Sequence, residues 1–275
     1  MSTCRLCYVF ILCILGCFFL NANAAAIFKD SPLFTDSKNA WFVGVGGGKA
    51  FSHLSKSSVS IANGSGYDPP YDSDLYTINR NHSTGLLQFL MGYRFHREAV
   101  FLPYISTFFQ YQYYFSSNIK GTVEQYSLPE FLNYNYVQSY DTNQYMLMGK
   151  FDLFQVWKVL PYISGGVGVV SSSLDTYNET ALPGVTARTN PAYRANTISQ
   201  AAYTLGVGLD FIVTDHIWMT LGYEHLFPHR IASADQITSA DAMGSWSGTR
   251  LNYGNLSSNI VFLNITTKIS QDMWS

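Results

Sequence analysis

The residues best suited to acid–base chemistry lie in one short segment near the C-terminal end, which contains Glu224, His225 and His229. A carboxylate, an imidazole and a serine hydroxyl together form a group that cleaves esters by nucleophilic attack. A His-x-Ser arrangement is absent, because Phe227 lies two residues after His225. Two interpretations stay open: a hydrolase centred on His225, and a histidine that only contacts polar groups.

A glycine-rich segment, residues 44–49, ends in a lysine, as a phosphate-binding loop does. Such a loop begins with a glycine and continues with Ser or Thr after its lysine. Val43 and Ala50 occupy the corresponding positions here. The segment is therefore better explained as a glycine-rich strand than as a phosphate site.

A loop segment carries Asp68, Asp72 and Asp74, whose carboxylate oxygens are of the type that binds calcium. Their spacing is not that of an EF-hand, and aspartates in a loop are commonly only solvated. Calcium binding stays an alternative. The sequence predicts no metal site and no cofactor.

Composition argues against a soluble domain. The 275-residue chain is 47% hydrophobic and 16% aromatic but only 12% charged, whereas soluble domains carry about 25% charged residues. After residue 24, no segment is long and apolar enough for a membrane helix, which needs about 20 such residues. Twenty Tyr and 19 Phe favour strands. A formal net charge of −2 gives no sign of nucleic-acid binding.

Polar and apolar residues alternate in eight segments, which is the pattern of strands with one apolar face. Within residues 83–95, Leu87 and Phe89 share one face, and Gln88 and Arg94 share the other. The other segments are residues 41–51, 101–115, 142–154, 160–173, 197–213, 217–227 and 256–270. The pentapeptide Leu-Pro-Tyr-Ile-Ser occurs twice, at 102–106 and at 160–164, each time directly after a short break.

The connections between these segments alternate between long and short. Outer-membrane barrels sort their loops in this way, with short periplasmic turns and long extracellular loops. An even strand number also lets the last strand pair with the first, which removes open sheet edges. The sequence therefore predicts an all-β fold, an eight-stranded antiparallel transmembrane β-barrel with four long extracellular loops and three short periplasmic turns, over residues 40–275.

Inward-facing charges predict an ion-paired lumen. Eight strands enclose an interior that side chains just fill, and buried ions persist when they are paired. The predicted network consists of Arg94, Lys150, Asp152, Asp210, Glu224 and Lys268. A polar core that closes the barrel is the first interpretation, and a gated path for small solutes is the alternative.

Tryptophans mark the predicted periplasmic boundary, where membrane barrels carry an aromatic girdle. The predicted girdle consists of Trp41, Trp157, Trp218 and Trp274. Trp218 has inward parity, so a plug in the lower mouth of the barrel is the alternative for it. Lys49 has outward parity, which requires either a place at the outer rim or a bulge that turns it inward, because a lysine at the bilayer midplane costs about 2–4 kcal/mol.

The first 24 residues predict an export signal, in which Arg5 precedes an apolar run over 6–20 and a small-x-small cleavage site at 22–24. An uncleaved anchor and a lipoprotein signal ending at Cys17 are the alternatives. All four cysteines lie within this segment, so residues 25–275 contain no thiol or disulfide chemistry. Residues 25–39 are predicted to form a short periplasmic lead.

The predicted second extracellular loop is unusually aromatic. Phe131, Tyr134, Tyr136 and Tyr140 are side chains of the kind that form contact surfaces. They form a possible contact surface for an unknown surface ligand. The alternative is that they fold onto the strands and extend the barrel upward.

Residues 160–169, Leu-Pro-Tyr-Ile-Ser-Gly-Gly-Val-Gly-Val, resemble the Pro-Tyr-x-x-x-Gly-x-Gly stretch of small bacterial outer-membrane β-barrel proteins. These proteins share the fold of the outer membrane protein A transmembrane domain. Residues 205–211 and 221–224 resemble the later hairpin of the same family. The resemblance implies a bacterial outer-membrane location and an ion-paired lumen. It also implies contact with outer-membrane lipid, lipopolysaccharide and the barrel-assembly machinery.

Two departures from the family pattern stand out. A peptidoglycan-binding domain does not follow the eighth segment, so wall anchoring is not expected, and the last residue is Ser275 rather than Phe. The sequence predicts a non-enzymatic outer-membrane protein that acts in envelope integrity or in surface interaction through its long loops. A lipid A-modifying enzyme that uses His225 and a narrow channel for small solutes are the alternatives.

Overall fold

The computed structural model of the chain describes residues 39–62, 68–187, 193–235 and 250–269. The predicted export signal, the lead before residue 39 and Trp274 lie outside these residues. The strands are β1 (Ala40–Leu54), β2 (Ser58–Ala62), β3 (Ser73–Thr77), β4 (Asn81–His96), β5 (Tyr104–Glu124), β6 (Leu132–Asp152), β7 (Val159–Ala181), β8 (Asn196–Ile212), β9 (Ile217–Asp235) and β10 (Arg250–Ile269). Within the described ranges, no helix is long and apolar enough to cross a membrane.

Eight of these strands form a closed antiparallel ring. The pairing follows the order β1, β4, β5, β6, β7, β8, β9, β10, and β10 pairs back with β1. The closing β1–β10 ladder runs without a register shift from Trp41↔Ile269 to Leu54↔Leu256. Lipid offers no partner to backbone N–H and C=O groups, so a sheet crosses a membrane only when it is closed. The predicted eight-stranded barrel is confirmed.

The short turns also agree with the prediction. Residues 97–103, 153–158 and 213–216 connect β4 to β5, β6 to β7 and β8 to β9. The first copy of the pentapeptide begins at the end of the first turn, and the second copy begins just after the second turn. Pro103 comes just before β5, and Pro161 lies near the start of β7, where a strand tolerates a missing backbone donor.

Apolar side chains cover the outside of the ring in a continuous band. Each of the eight ring strands contributes outward side chains that are more than two-fifths exposed: Val45, Leu87, Phe109, Leu147, Val167, Leu205, Leu221 and Leu263. An apolar surface that encircles a protein is unfavourable in water and matches the hydrocarbon layer of a bilayer. The fold is therefore that of a transmembrane β-barrel.

The second predicted long loop is mostly strand, which corrects the sequence prediction. β5 extends to Glu124 and β6 begins at Leu132, so only residues 125–131 connect them, through 3₁₀ turns at Gln125–Ser127 and Pro129–Phe131. The prediction failed here because it searched for strands with apolar outward faces. Outside the membrane the wall has a polar outer face, and its apolar residues point inward.

The first predicted loop also contains strands. β2 and β3 form a hairpin, and β3 pairs with β5 at Leu75↔Glu124 and Tyr76↔Val123. Ile61 and Tyr76 are buried by this arrangement. The hairpin therefore prolongs the β5 side of the wall beyond the membrane.

Bulges mark the level at which the wall leaves the apolar band. The ladders shift register between Tyr114 and Ser117 of β5, and between Leu256 and Ser258 of β10. A bulge adds one residue to a strand and changes which residues face inward. On β9, Leu226 and His229 are both buried although they are three positions apart, with Phe227 and Pro228 exposed between them.

Inward glycines allow close packing in the narrow bore. A Cβ atom on Gly168 would lie 1.9 Å from the Tyr145 carbonyl oxygen, and one on Gly46 would lie 1.8 Å from Asn264 Oδ1. Residues 44–49 pair with both neighbouring strands without a bulge, so Lys49 points outward. The glycine run is a densely packed strand of the barrel wall.

Candidate functional site

Two ion pairs lie in the lower half of the lumen. Arg94 Nη2 of β4 donates to Asp152 Oδ2 of β6 at 2.6 Å, and Lys150 Nζ of β6 donates to Asp210 Oδ2 of β8 at 2.5 Å. All four residues are buried. The structure thus brings together four of the six charged residues that were predicted to form the lumen network.

The repeated pentapeptide supplies the surroundings of both ion pairs. The Arg94 guanidinium carbon lies 4.1 Å from the Tyr104 ring centroid, and Lys150 Nζ lies 4.9 Å from the Tyr162 ring centroid. A cation over an aromatic face is stabilised by the ring quadrupole. The first pair spans β5 and the second spans β7, which are the strands that begin with the two copies. Ser106 and Ser164, the last residues of the copies, are small inward side chains that leave room for these crossings.

Glu224 is held by amides. Its Oε2 accepts hydrogen bonds from Gln110 Nε2 at 2.9 Å and Gln112 Nε2 at 3.1 Å. The Tyr114 hydroxyl donates to Gln144 Oε1 at 2.7 Å and extends this polar layer. The glutamines were missed as network members because only charged residues were considered. Their inward parity on β5 and β6 is the signal that identifies them.

Lys268 lies apart from these layers, at the periplasmic end of β10. Its side chain is half-buried, and its backbone N–H donates to the His216 carbonyl oxygen at 2.8 Å. The predicted network is thus divided into two ion pairs in the lower lumen, an amide-bound carboxylate and a lysine near the mouth.

Apolar side chains fill much of the space between these polar groups, which corrects the expectation of a purely polar core. Phe42 packs on Trp218 at 5.6 Å and on Phe108 at 5.9 Å between ring centroids. A cavity of about 20 Å³ is lined in part by Gln88, Gln110 and Asn264, which is room for about one water molecule. The membrane-level interior is therefore packed.

A second apolar cluster closes the barrel above the membrane. It is built from buried residues of the extracellular wall and of the β2–β3 hairpin: Leu54, Ile61, Tyr76, Ile78, Ile119, Val123, Tyr134, Tyr136, Tyr140, Leu174, Tyr177, Tyr193, Ile231, Leu251, Tyr253 and Leu256. Two of its hydroxyls donate to buried acceptors, Tyr136 to the Thr77 carbonyl at 2.9 Å and Tyr253 to Gln138 Oε1 at 2.6 Å.

The predicted contact surface on the second loop is wrong for three of its four residues. Tyr134, Tyr136 and Tyr140 are at most 4% exposed and point into the upper cluster. Phe131 remains at the surface, at the tip of the β5–β6 connection. The three tyrosines follow the alternative, in which they extend the barrel upward.

The tip has a defined structure. Tyr126 packs edge-on against Tyr71 at 5.2 Å and against Phe131 at 5.6 Å between ring centroids. Its backbone N–H donates to the buried Asp74 Oδ1 at 2.9 Å, which holds Tyr126 at a φ of 60°. We call Tyr71, Tyr126 and Phe131 the apical aromatic cluster.

The predicted tryptophan girdle is partly corrected. Trp41 and Trp157 are 54% and 73% exposed, on the outer wall and in a periplasmic turn. Trp218 is only 4% exposed, because its inward parity places it in the bore. There it lies 4.8 Å from the Arg94 guanidinium carbon. Trp218 therefore belongs to the lumen packing, and Trp274 lies outside the described residues.

The candidate hydrolase residues lie on opposite faces of β9. His225 is on the outer wall, where its Nδ1 is 2.9 Å from Asn259 Oδ1, an atom that also accepts from the Tyr223 hydroxyl at 2.6 Å. Glu224 and His229 point into the lumen, and His229 Nε2 lies 3.2 Å from Ser172 Oγ. The structure does not bring Glu224, His225 and His229 together.

The three loop aspartates, Asp68, Asp72 and Asp74, have different surroundings. Asp74 is buried and bonded to the Tyr126 backbone, whereas Asp68 and Asp72 are exposed. In the part of the chain that the structure describes, no three His, Cys, Asp or Glu residues are grouped in a way that could hold a metal ion.

No family model and no curated protein matches the sequence. Among solved structures, Neisserial surface protein A is 12% identical, with 84% of this chain and 99% of that chain covered and a TM-score of 0.42. The outer membrane protein OprG from Pseudomonas aeruginosa is 14% identical, with 85% and 98% covered and a TM-score of 0.44. Ail, the attachment invasion locus protein of Yersinia pestis, is 11% identical, with 82% and 99% covered and a TM-score of 0.32. The barrel assignment rests on the strand pairing of this chain.

The Lys150–Asp210 pair provides a test of the lumen. Lys150→Met leaves Asp210 as a buried charge without its cation, and we expect the free energy of unfolding to fall by about 3–5 kcal/mol. Urea unfolding of the barrel in lipid vesicles, followed by tryptophan fluorescence, measures this change. The Lys150→Met/Asp210→Leu double variant should recover most of the loss. A single variant as stable as the wild type would contradict the buried pair.

Proposed function

We propose that this protein is a sealed outer-membrane barrel that supports the bacterial envelope and presents a rigid extracellular surface for interaction. The observation that carries the proposal is the filling of the interior at successive levels. Phe42 and Trp218 pack near the periplasmic mouth, the ion pairs and glutamines occupy the middle, and the tyrosine-rich cluster closes the extracellular end. A packed interior leaves the outer wall and the tip as the surfaces available for contact.

The extracellular wall supports a role in surface interaction. β5, β6 and β7 continue beyond the apolar band. Tyr126 and Phe131 of the apical aromatic cluster lie in the β5–β6 connection, and Tyr71 lies just before β3. Tyr71 and Phe131 are 47% and 37% exposed, and the backbone that presents them is fixed by the bonds to Asp74 and Ser73. Exposed aromatic side chains on a rigid frame provide contact area at low entropic cost.

Catalysis is not part of the proposal. His225 lies beside Asn259, which also accepts from Tyr223. Among the described residues, no serine hydroxyl and no carboxylate is hydrogen-bonded to His225, whereas ester hydrolysis requires both. Glu224 and His229, which are close to His225 in the sequence, are buried and face the lumen. The same arrangement suits a rim histidine in contact with lipid headgroups.

The sealed interior predicts the absence of ion conduction. In planar bilayers at 1 M salt, the purified protein is expected to give no single-channel steps, because eight strands enclose an interior that side chains just fill. An open porin added to the same bilayer serves as the positive control. Regular conductance steps from the wild-type protein would contradict the sealed barrel and favour the narrow-channel alternative.

The absence of catalysis at the rim is tested with His225→Ala. Lipid A extracted from cells that express the variant should carry the same acyl chains as lipid A from cells that express the wild type. Mass spectrometry of the two extracts makes the comparison, and cells without the protein provide the baseline. A loss of acyl chains that requires the wild-type His225 would overturn the non-enzymatic proposal.

The apical aromatic cluster is tested with the double variant Tyr71→Ser/Phe131→Ser. Adherence of expressing cells to a protein-coated surface should fall by about tenfold or more, because truncating an anchor residue typically costs over 1 kcal/mol. Val100→Ser/Phe101→Ser removes comparable exposed apolar surface from a periplasmic turn and should leave adherence unchanged. Equal adherence of both variants would contradict a role of the apical aromatic cluster in surface interaction. Resistance of the expressing cells to detergent tests the role in envelope support separately.

A further inference from the structure

The outer wall has a basic sector at its extracellular boundary. It is formed by β9, β10, β1 and β4, where Lys49 of β1, Arg230 of β9 and Arg80, the residue before β4, are exposed. The acidic residues of these four strands are Glu224, which is buried in the lumen, and Asp235, at the extracellular end of β9. We call Lys49, Arg80 and Arg230 the basic rim.

Arg80 is fixed in place by its neighbours. Its Nε donates to the Leu54 carbonyl oxygen at 3.0 Å, and its Nη2 donates to His53 Nε2 at 2.6 Å. Because a guanidinium only donates, His53 Nε2 is the acceptor, and His53 Nδ1–H donates to Asn81 Oδ1 at 2.8 Å. His53 thus positions Arg80. The guanidinium has five N–H donors, so donors remain for an anion at the wall.

Lys49 lies on the lipid-facing surface below this point, five residues before Leu54 on β1. It is eight residues above Trp41 along β1, which places its backbone about 20 Å above the periplasmic boundary of an apolar band about 25 Å tall. Its Nζ lies 5.5 Å from the Phe51 ring centroid, toward the outer edge of the band. The long side chain of a lysine at this depth can extend to the headgroup layer.

Neighbouring positions complete the surface. Arg230 pairs in register with Asn255 of β10, and the Ser55 backbone donates to the Asn255 carbonyl at 2.8 Å, so β9, β10 and the end of β1 adjoin at this level. Val261, which pairs in register with Lys49, and Val45, four residues before Lys49 on β1, expose apolar side chains to the membrane. The sector therefore combines cations at headgroup level with apolar wall beneath them.

The opposite sector has the other charge. Asp141 of β6 and Asp175 of β7 occur at the corresponding level, where β6 and β7 pair through Asp141↔Ser173. Carboxylates at that position would repel an anionic headgroup, whereas the basic rim attracts one. The distribution of charge around the rim selects one side of the barrel for a phosphorylated lipid.

We propose that the basic rim binds a phosphate group of a phosphorylated glycolipid of the outer leaflet, with the acyl chains lying along the apolar wall below. The inference rests on the outer-membrane placement proposed above. Arg80 and Lys49 bond the phosphate oxygens, Arg230 flanks the same headgroup, and His53 acts as a positioning residue for Arg80. The ligand is held on the outside of the barrel and leaves the lumen unchanged.

The test uses the full mature barrel in neutral detergent micelles and bisphosphorylated lipid A as the probe, with affinity measured by thermophoresis. Lys49→Gln/Arg80→Gln is expected to weaken binding by about tenfold or more, since each cation near an anionic lipid contributes about a factor of five. The matched control Arg97→Gln/Lys158→Gln removes the same charge from two periplasmic turns and should bind as the wild type does.

Three results would overturn the proposal: equal weakening in both double variants, undiminished affinity of Lys49→Gln/Arg80→Gln, or equal affinity of the wild type for dephosphorylated lipid A. A fourth such result is binding of inorganic phosphate with the same affinity as lipid A, which would show that the acyl chains contribute nothing. Heat-modifiable migration on a gel confirms folding of each variant, and Lys49→Gln alone replaces the double variant if that fails to fold. Failure of the wild type to insert into vesicles would instead count against the membrane placement itself.

Discussion

Closure of a narrow ring is the constraint on which the rest of this structure depends. Lipid cannot satisfy backbone hydrogen bonds, so the eight strands pair in a circle, and a circle of eight leaves a bore that is only as wide as the side chains that fill it. Every inward residue must then pack or find a polar partner. The two ion pairs, the amide-bound Glu224 and the Phe42–Trp218 contact are different solutions to this requirement.

The outward face obeys a second condition, which changes along the barrel axis. Within the membrane the outer wall is apolar and the lumen holds the charges. Beyond the membrane the outer wall is polar and the lumen holds the tyrosine-rich cluster. Bulges at the boundary, including the one around Phe227 and Pro228 of β9, change the residues that face inward. The same strands can therefore present an apolar outer face to lipid and, further along, a polar outer face to water.

This change from lipid to water along the barrel axis determines which parts of the fold could be predicted from the sequence. Strand number, turn positions and the inward parity of Arg94 and Lys150 follow from alternation within the membrane, where apolar residues mark the outside. The same criterion missed the upper wall, because Tyr134 and Tyr136 mark the inside there. Alternation also predicts which face of the sheet a residue lies on, but it does not predict which residue it contacts. The pairing of Arg94 with Asp152 spans an intervening strand, so it depends on the curvature of the ring, which alternation does not report.

The repeated pentapeptide shows how local sequence and ring curvature combine. In each copy the inward Tyr lies against the cation of an ion pair, and the inward Ser leaves space for that pair to pass over the strand. The two copies therefore place equivalent Tyr and Ser side chains around the two ion pairs of the lumen. Because the interior side chains pack against one another, the residues available to bind other molecules are those of the outer surface. The unequal distribution of charge around the rim gives the barrel distinct sides in the membrane plane, and the fixed apical aromatic cluster gives it a defined surface above.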